Sequence, residues 1–176
     1  MSEMPVRIEP ISPEDVEDFR AALDSVARER LYLAAFEAPP IEQVRAFVET
    51  NLREGNPHVV ARGEDRLVGW CDITRHRSPL RAHGGVLGMG VVAGHRGAGI
   101  GRALLSAALS AARAAGMLRV ELEVRGSNTP AIALYERMGF RHEGRKIAAC
   151  RFDGTTEDML IMGLVWPELG SARVAG

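Results

Sequence analysis

Lysine is almost missing from this chain. Lys146 is the only one among 22 lysine and arginine residues, a bias that reflects genome composition more readily than chemistry. Net charge is nearly missing too: 23 acidic residues leave −1 overall, so no broad field draws nucleic acid or an anionic membrane to the surface. Aromatic residues make up 5% of the chain and stud no basic run, so neither nucleic acid nor membrane is expected as a partner. The two cysteines, Cys71 and Cys150, stand far apart and fit neither a CxxC nor a metal-ligand spacing. That speaks against a metal site and for core thiols in a reduced compartment. Long apolar runs are absent as well. The longest Ala-rich stretch, ALLSAALSAARAAG, is interrupted by Arg113 and shorter than a bilayer span, and MSEMPVRIEP has no apolar signal core. The expected location is the cytoplasm.

What is present is enough sequence for a core. The 176 residues show no compositional break, so one domain over residues 1–176 is expected, with 166–176 as a flexible tail. Val6 to Ile11 alternates like a short strand. Ser12-Pro13-Glu14-Asp15 then supplies an N-cap, a proline at the first helical position and an acidic N3 for a helix toward Arg30. A second helix is expected from Pro40 to about Glu54, with Ile41, Val44, Phe47, Val48 and Leu52 at helical spacing and Gly55 closing it. The connection LYLAAFEAPP between these helices reads either as a core cover or as a wall of an acceptor pocket. His58–Arg62 and Arg66–Ile73 form a hairpin around Gly63-Glu64-Asp65, and the glycine-rich Gly84–Val92 adds a strand. Then come a helix from about Ile100 to Ala115, a strand from Leu118 to Val124, and a helix opened by Asn128-Thr129-Pro130 and closed by Gly139. A last hairpin runs from Phe140 to Val165. Hairpins mixed with strand-helix-strand crossovers predict an α/β domain with a mixed sheet.

The stretch HRGAGIGRAL places Gly97, Gly99 and Gly101 directly before the Ala-rich helix. Glycine inside a helix costs about 1 kcal/mol relative to alanine, so the backbone itself is the working part. Bare N–H groups leading into a helix N-terminus form an anion cradle suited to phosphate. A P-loop is excluded because Arg102, not Lys, follows Gly101. Gly88-Met89-Gly90-Val91-Val92-Ala93 does spell the dinucleotide fingerprint GxGxxA. Gly94, Gly97 and Gly99 nevertheless delay regular helix until about Ile100, and the matched segment reads better as strand, which leaves a dinucleotide-dependent oxidoreductase as the weakest alternative.

The arrangement Arg96-x-x-Gly99-x-Gly101 after a strand resembles the pyrophosphate-binding motif of the GNAT acetyltransferase superfamily, and EVRGSNTPAIALYERMGF, Glu123 to Phe140, resembles that superfamily's later strand-helix motif. With the order of elements, the resemblance covers roughly Val6 to Leu164. It implies a mixed, mostly antiparallel central sheet of about seven strands flanked by about four helices, with a splay between the fourth and fifth strands. Acetyl-CoA, used as a co-substrate without a metal, would enter that splay. Backbone groups of Met89 and Val91 would hold its pantetheine arm. Amides of Arg96, Gly97, Ala98, Gly99, Ile100 and Gly101 would hold the pyrophosphate, with Asn128 and Tyr135 as further contacts. A homodimer is implied on the same ground.

By the same resemblance the chemistry is direct acetyl transfer to a primary amine, with Tyr135 matching the tyrosine that protonates the departing thiolate. The base cannot be carried over from the strand before the glycines, because GGVLGMGVV has no carboxylate. Glu123, five positions before Asn128, matches the glutamate of ribosomal-protein N-terminal acetyltransferases; His83 and Asp72 are the other candidates. Arg75, Arg77 and Arg81 could receive a carboxylate bidentately, which points first to an amino acid or amino-acid-like amine as acceptor. A protein N-terminus is the alternative acceptor, and a noncatalytic acyl-CoA-binding sensor is the alternative of another class.

Overall fold

Ser12 and Asp15 set the first turn. In the computed structural model, which describes residues 6–167, the Asp15 carboxylate accepts a hydrogen bond from Ser12 N at 2.9 Å and Pro13–Asp15 winds as one 3-10 turn. The turn joins strand β1 (Arg7–Pro10) to helix α1 (Val16–Arg28), so regular helix begins three residues later than the proline alone suggests. Helix α2 (Ile41–Glu54) is entered from Pro40, and Gly55 at φ +66° ends it in the left-handed conformation open to glycine. Strands β2 (His58–Arg62), β3 (Leu67–Arg75) and β4 (Gly84–Val91) follow. Helix α3 (Ile100–Ala114), strand β5 (Arg119–Arg125), helix α4 (Thr129–Arg137) and the hairpin β6 (Arg141–Phe152) and β7 (Thr155–Val165) complete the chain.

The seven strands form one sheet in the order β1-β2-β3-β4-β5-β7-β6. Every neighbouring pair is antiparallel except β4 and β5, which are parallel because α3 carries the chain back between them. Gly88 to Val91 therefore continue a strand, with helix delayed to Ile100, and the dinucleotide alternative loses its strand-to-helix turn.

Period-two alternation divides the core between the two faces. On one face Cys71, Ile73, Val120 and Leu122 meet Leu104 and Leu105 of α3 and Tyr135 of α4. On the other, Val60, Leu67 and Trp70 meet Phe19 and Val26 of α1 and Val44 and Val48 of α2. Leu104, Leu105 and Leu122 are each under 2% exposed, and burial of that kind stabilises the fold by about 1.5–3 kcal/mol per side chain. Trp166, counted with the tail from sequence, is fixed by its N–H to Leu118 O at 3.1 Å and packs on the first cluster. Residues 168–176 of the expected tail lie outside the described residues. Among the described residues no helix is long and apolar enough to cross a membrane.

Candidate active site

The sheet opens where β4 and β5 part. Their parallel pairing covers only Gly84–Val86 against Arg119–Glu121, although both strands continue for several residues more. On its other edge β4 stays paired with β3 from Gly85 to Val91. His76 N donates to Gly84 O and Val92 N to Val68 O, so the even-numbered residues of β4 turn their backbone groups to β3. Met89 and Val91, beyond the last pair with β5, consequently present N–H and C=O to the gap. Arg96 Nε caps one of these groups, the Val91 carbonyl, at 2.8 Å.

Past the end of β4 lies a loop that only glycine builds easily. Gly94, Gly97 and Gly99 have φ of +84°, +79° and +82°, and a Cβ placed on any of them would meet no atom within 4 Å. The positive φ makes these residues glycine, while the open space in front of them leaves the backbone accessible. Gly99 is the N-cap of α3 without any side-chain cap, and no acidic residue occupies the helix's first turn. The first N–H groups of α3 thus point outward unpaired, at the positive end of a 15-residue helix. Gly101 faces inward instead: a Cβ there would stand 3.4 Å from Leu134 of α4 and 3.7 Å from Met89, in ordinary contact with both. The Arg96 guanidinium does not join the cradle as a free cation. Glu29 binds it through both carboxylate oxygens at 2.6 and 2.8 Å, and the ring of Tyr32 lies 4.4 Å below it.

On the face opposite α3 the same gap borders a cavity of about 380 Å³. Phe19 and Leu23 of α1, Val44 and Phe47 of α2, and Trp70 of β3 wall it. The α1–α2 connection closes the rim with Leu33 and Pro39. Gly88 and Met89 of β4 carry the lining to the gap, and the glycines of β4 lie under side chains of β3. A Cβ on Gly90 would fall 2.3 Å from the Trp70 ring, and one on Gly88 would fall 3.4 Å from Asp72 Oδ1. Side chains of β3 therefore lie across β4 where β4 has none of its own. Among the described residues Asp72 is the only ionisable one lining this cavity, and burial pushes its carboxyl up to about 7. Its cross-strand neighbour His58 is packed between Phe19 and Phe47, and burial pushes it down to about 4. His58 is thus neutral and brings no compensating cation.

A backbone cradle beside a buried carboxyl suits transfer of a phosphate-tagged group onto a basic nitrogen. The sequence model of the acetyltransferase (GNAT) family matches residues 20–140. This chain belongs to that family. A mycothiol acetyltransferase from Beutenbergia cavernae is 50% identical over 128 residues, which cover 65% of this chain and 41% of that protein. The chain thus spans less than half the length of that curated relative. Among solved GNAT structures, a phosphinothricin acetyltransferase from Sinorhizobium meliloti in complex with AcCoA superposes with a TM-score of 0.86 at 21% identity, covering 98% of this chain and 94% of that one. A ribosomal-protein-alanine N-acetyltransferase from Brucella melitensis gives 0.84 at 24% identity, covering 90% and 99%. These similarities show the GNAT fold.

Within that fold the residues singled out from sequence fall into two groups. Tyr135 lies on α4, buried beside Phe140. Burial, aided by the nearby Cys71, pushes its phenol above the ordinary value. Cys71 pairs with Met89, in the middle of the unpaired edge of β4, so Tyr135 and Asp72 flank the gap from opposite faces. Asn128 caps α4, its side-chain oxygen accepting from Ala131 N at 3.3 Å. Glu123 shares the cavity's face of the sheet but is exposed and ion-paired with Lys146. The structure does not bring His83 to the cavity. It precedes β4 at the end where β4 and β5 are still paired, its carbonyl accepting from Leu118 N, and Gly88 lies about 16 Å further along the strand. The arginines offered for a carboxylate stand at that same end. Arg75 donates to Ala82 O and Ala115 O, Arg81 to Glu121, and Arg77 is exposed in the loop. Trp70 was not singled out from sequence; the signal was Trp-x-Asp on one strand against Gly-x-Gly on the next, visible only once their register is known.

Proposed function

We propose that this GNAT chain transfers the acetyl group of acetyl-CoA to the primary amine of a small molecule, with Asp72 as the base. The observation that carries this reading is a buried carboxyl, held at about 7, in an apolar cavity that opens on the splay. The residues present fit acetyl-CoA: the amides from Arg96 to Gly101 suit its pyrophosphate, and the unpaired edge at Met89 with the Val91 N–H suits the amides of its pantetheine arm. Bound there, acetyl-CoA supplies a thioester carbonyl at the gap. An alkyl ammonium with a pKa of about 10.4 is neutral to roughly one part in a thousand or less at pH 7, so a base is required. Asp72 pairs with the incoming ammonium and takes a proton from its nitrogen. The neutral nitrogen then forms the C–N bond to the acetyl carbon while the C–S bond breaks. Tyr135, held protonated by burial, donates a hydrogen bond to the departing sulfur, and the second proton that the nitrogen sheds as the amide forms ends on that sulfur, giving the thiol. Because a thiol near 8.5 is a stronger acid than this phenol, stabilisation of the sulfur anion is the main service of Tyr135.

The test is amine-dependent release of CoA thiol across a panel of small amines and short peptides, with Asp72→Asn in parallel. Turnover of small amines that Asp72→Asn abolishes supports the proposal. Turnover of peptides alone would favour a protein N-terminus as acceptor, and CoA binding without turnover on any amine would favour a noncatalytic sensor.

A further inference from the structure

The cavity that holds Asp72 also says what the acceptor carries beside its amine. Its walls are apolar on every side, and apart from Asp72 the polar side chain lining it is Gln43, which is neutral. Among the described residues no guanidinium, ammonium or imidazole lines it. Arg20, whose Nε donates to Pro39 O at 2.9 Å, and Arg96, held by Glu29, are not among the residues that line it. Resting on the acetyltransferase reading above, we infer that the acceptor is a primary amine on an apolar body with no free carboxylate next to the amine. It is therefore a decarboxylated or carboxyl-blocked amine and not a free amino acid.

The physical ground is charge. An amine seated on Asp72 puts an α-carboxylate of the same molecule only about 5 Å from the Asp72 carboxylate. Two like charges at that separation, in a cavity lined by rings and aliphatic chains and without a cation, repel strongly enough to weaken productive binding on the order of a hundredfold. An amide, a hydroxyl or a hydrogen at that position carries no such penalty, and a neutral polar group can use Gln43.

Matched sets of acceptors decide it: phenylalanine, phenylalanine amide and phenethylamine, then leucine, leucine amide and 3-methylbutylamine, each at saturating acetyl-CoA. The expected result is a kcat/KM for the amine and the amide on the order of a hundredfold above that of the free amino acid in both sets. Equal or greater efficiency with the free amino acids would overturn the inference while leaving the acetyltransferase reading intact. No turnover on any arm, with CoA binding retained, would overturn both. Binding of the same compounds to Asp72→Asn in the presence of CoA supplies a second readout. There the preference against the carboxylate should shrink to tenfold or less, and an unchanged preference would show that Asp72 is not its origin.

Discussion

The two sides of the gap are built from different materials. On the α3 side the cradle is backbone: three glycines at positive φ and the first amides of a helix, all within eight consecutive residues. On the other side the cavity is side chains drawn from α1, α2, β3 and the α1–α2 connection, with β4 contributing mainly the absence of side chains at Gly88 and Gly90. A pyrophosphate is the same in every CoA thioester, so amides at fixed geometry suffice for it. An acceptor differs from one enzyme to the next, and side chains on separate elements can change without disturbing the cradle. Variants on the cavity side should therefore act on kcat and on acceptor choice, and variants on the cradle side on acetyl-CoA binding.

The largest expected effect tests the cavity side. Asp72→Asn should lower kcat by about 10²- to 10⁴-fold with acetyl-CoA binding unchanged. In the unaltered chain kcat should rise with pH through about 7, as Asp72 ionises, and the variant should lack that rise. The same residue makes an opposite prediction for stability. Its carboxyl titrates near 3.8 in the unfolded chain and about 7 in the fold, so the fold retains a proton that the unfolded chain releases. Stability contributed by Asp72 is full below about 4 and falls as pH rises to about 7, by up to about 4 kcal/mol. Asp72→Asn should remove this loss and unfold at a higher temperature than the parent at pH 8, with the difference vanishing toward pH 4. His58, which favours the fold's neutral imidazole as pH rises, is present in both proteins and cancels in that comparison. A variant less active and no more stable would mean that Asp72 is a satisfied core carboxyl.

Next in size is Tyr135→Phe. Loss of one hydrogen bond to a charged sulfur should reduce kcat by roughly 10- to 100-fold without moving the pH profile, since the phenol does not titrate in the working range. Gly99→Ala should act on the other side of the comparison. A β-carbon at φ +82° costs about 1–2 kcal/mol, so the KM for acetyl-CoA should rise about tenfold and Tm should fall, with kcat at saturation near the parent value. A fall in kcat from Gly99→Ala, or a rise in acetyl-CoA KM from Tyr135→Phe, would blur the division of labour.

The cradle was legible because its cause is local. Glycine punctuation, the delayed helix start and the arginine before them sit within one short stretch, and positive φ at Gly97 and Gly99 is what that punctuation means. The cavity was legible only in fragments. Asp72 could be named from its strand, but its partner positions depend on a register that sets residue 72 against 88 and residue 70 against 90. Glu123 matched a spacing, yet spacing does not reveal that Lys146, brought over by β6, occupies it. His83 sits next to β4 in sequence, but at the paired end of a strand that opens only beyond Val86. The arginines of the same loop read as carboxylate receptors until the fold gave them backbone carbonyls and Glu121 as partners.

The smallest expected effects therefore fall on Glu123 and His83, and they sharpen the comparison because both were first candidates for the base. Glu123 is exposed and its carboxylate faces Lys146. Glu123→Gln breaks a surface ion pair, an interaction that contributes about 1 kcal/mol or less, and should change kcat by less than about threefold. His83→Ala should do as little, because His83 is exposed and meets Leu118 through its backbone carbonyl, which alanine retains. The informative measurement is kcat against pH for both variants beside Asp72→Asn, with a saturating small amine. If Glu123→Gln instead flattened the rise through neutral pH, proton removal would occur at the outer lip of β5, where solvent screens charge, and the apolar cavity would serve only to bind the acceptor.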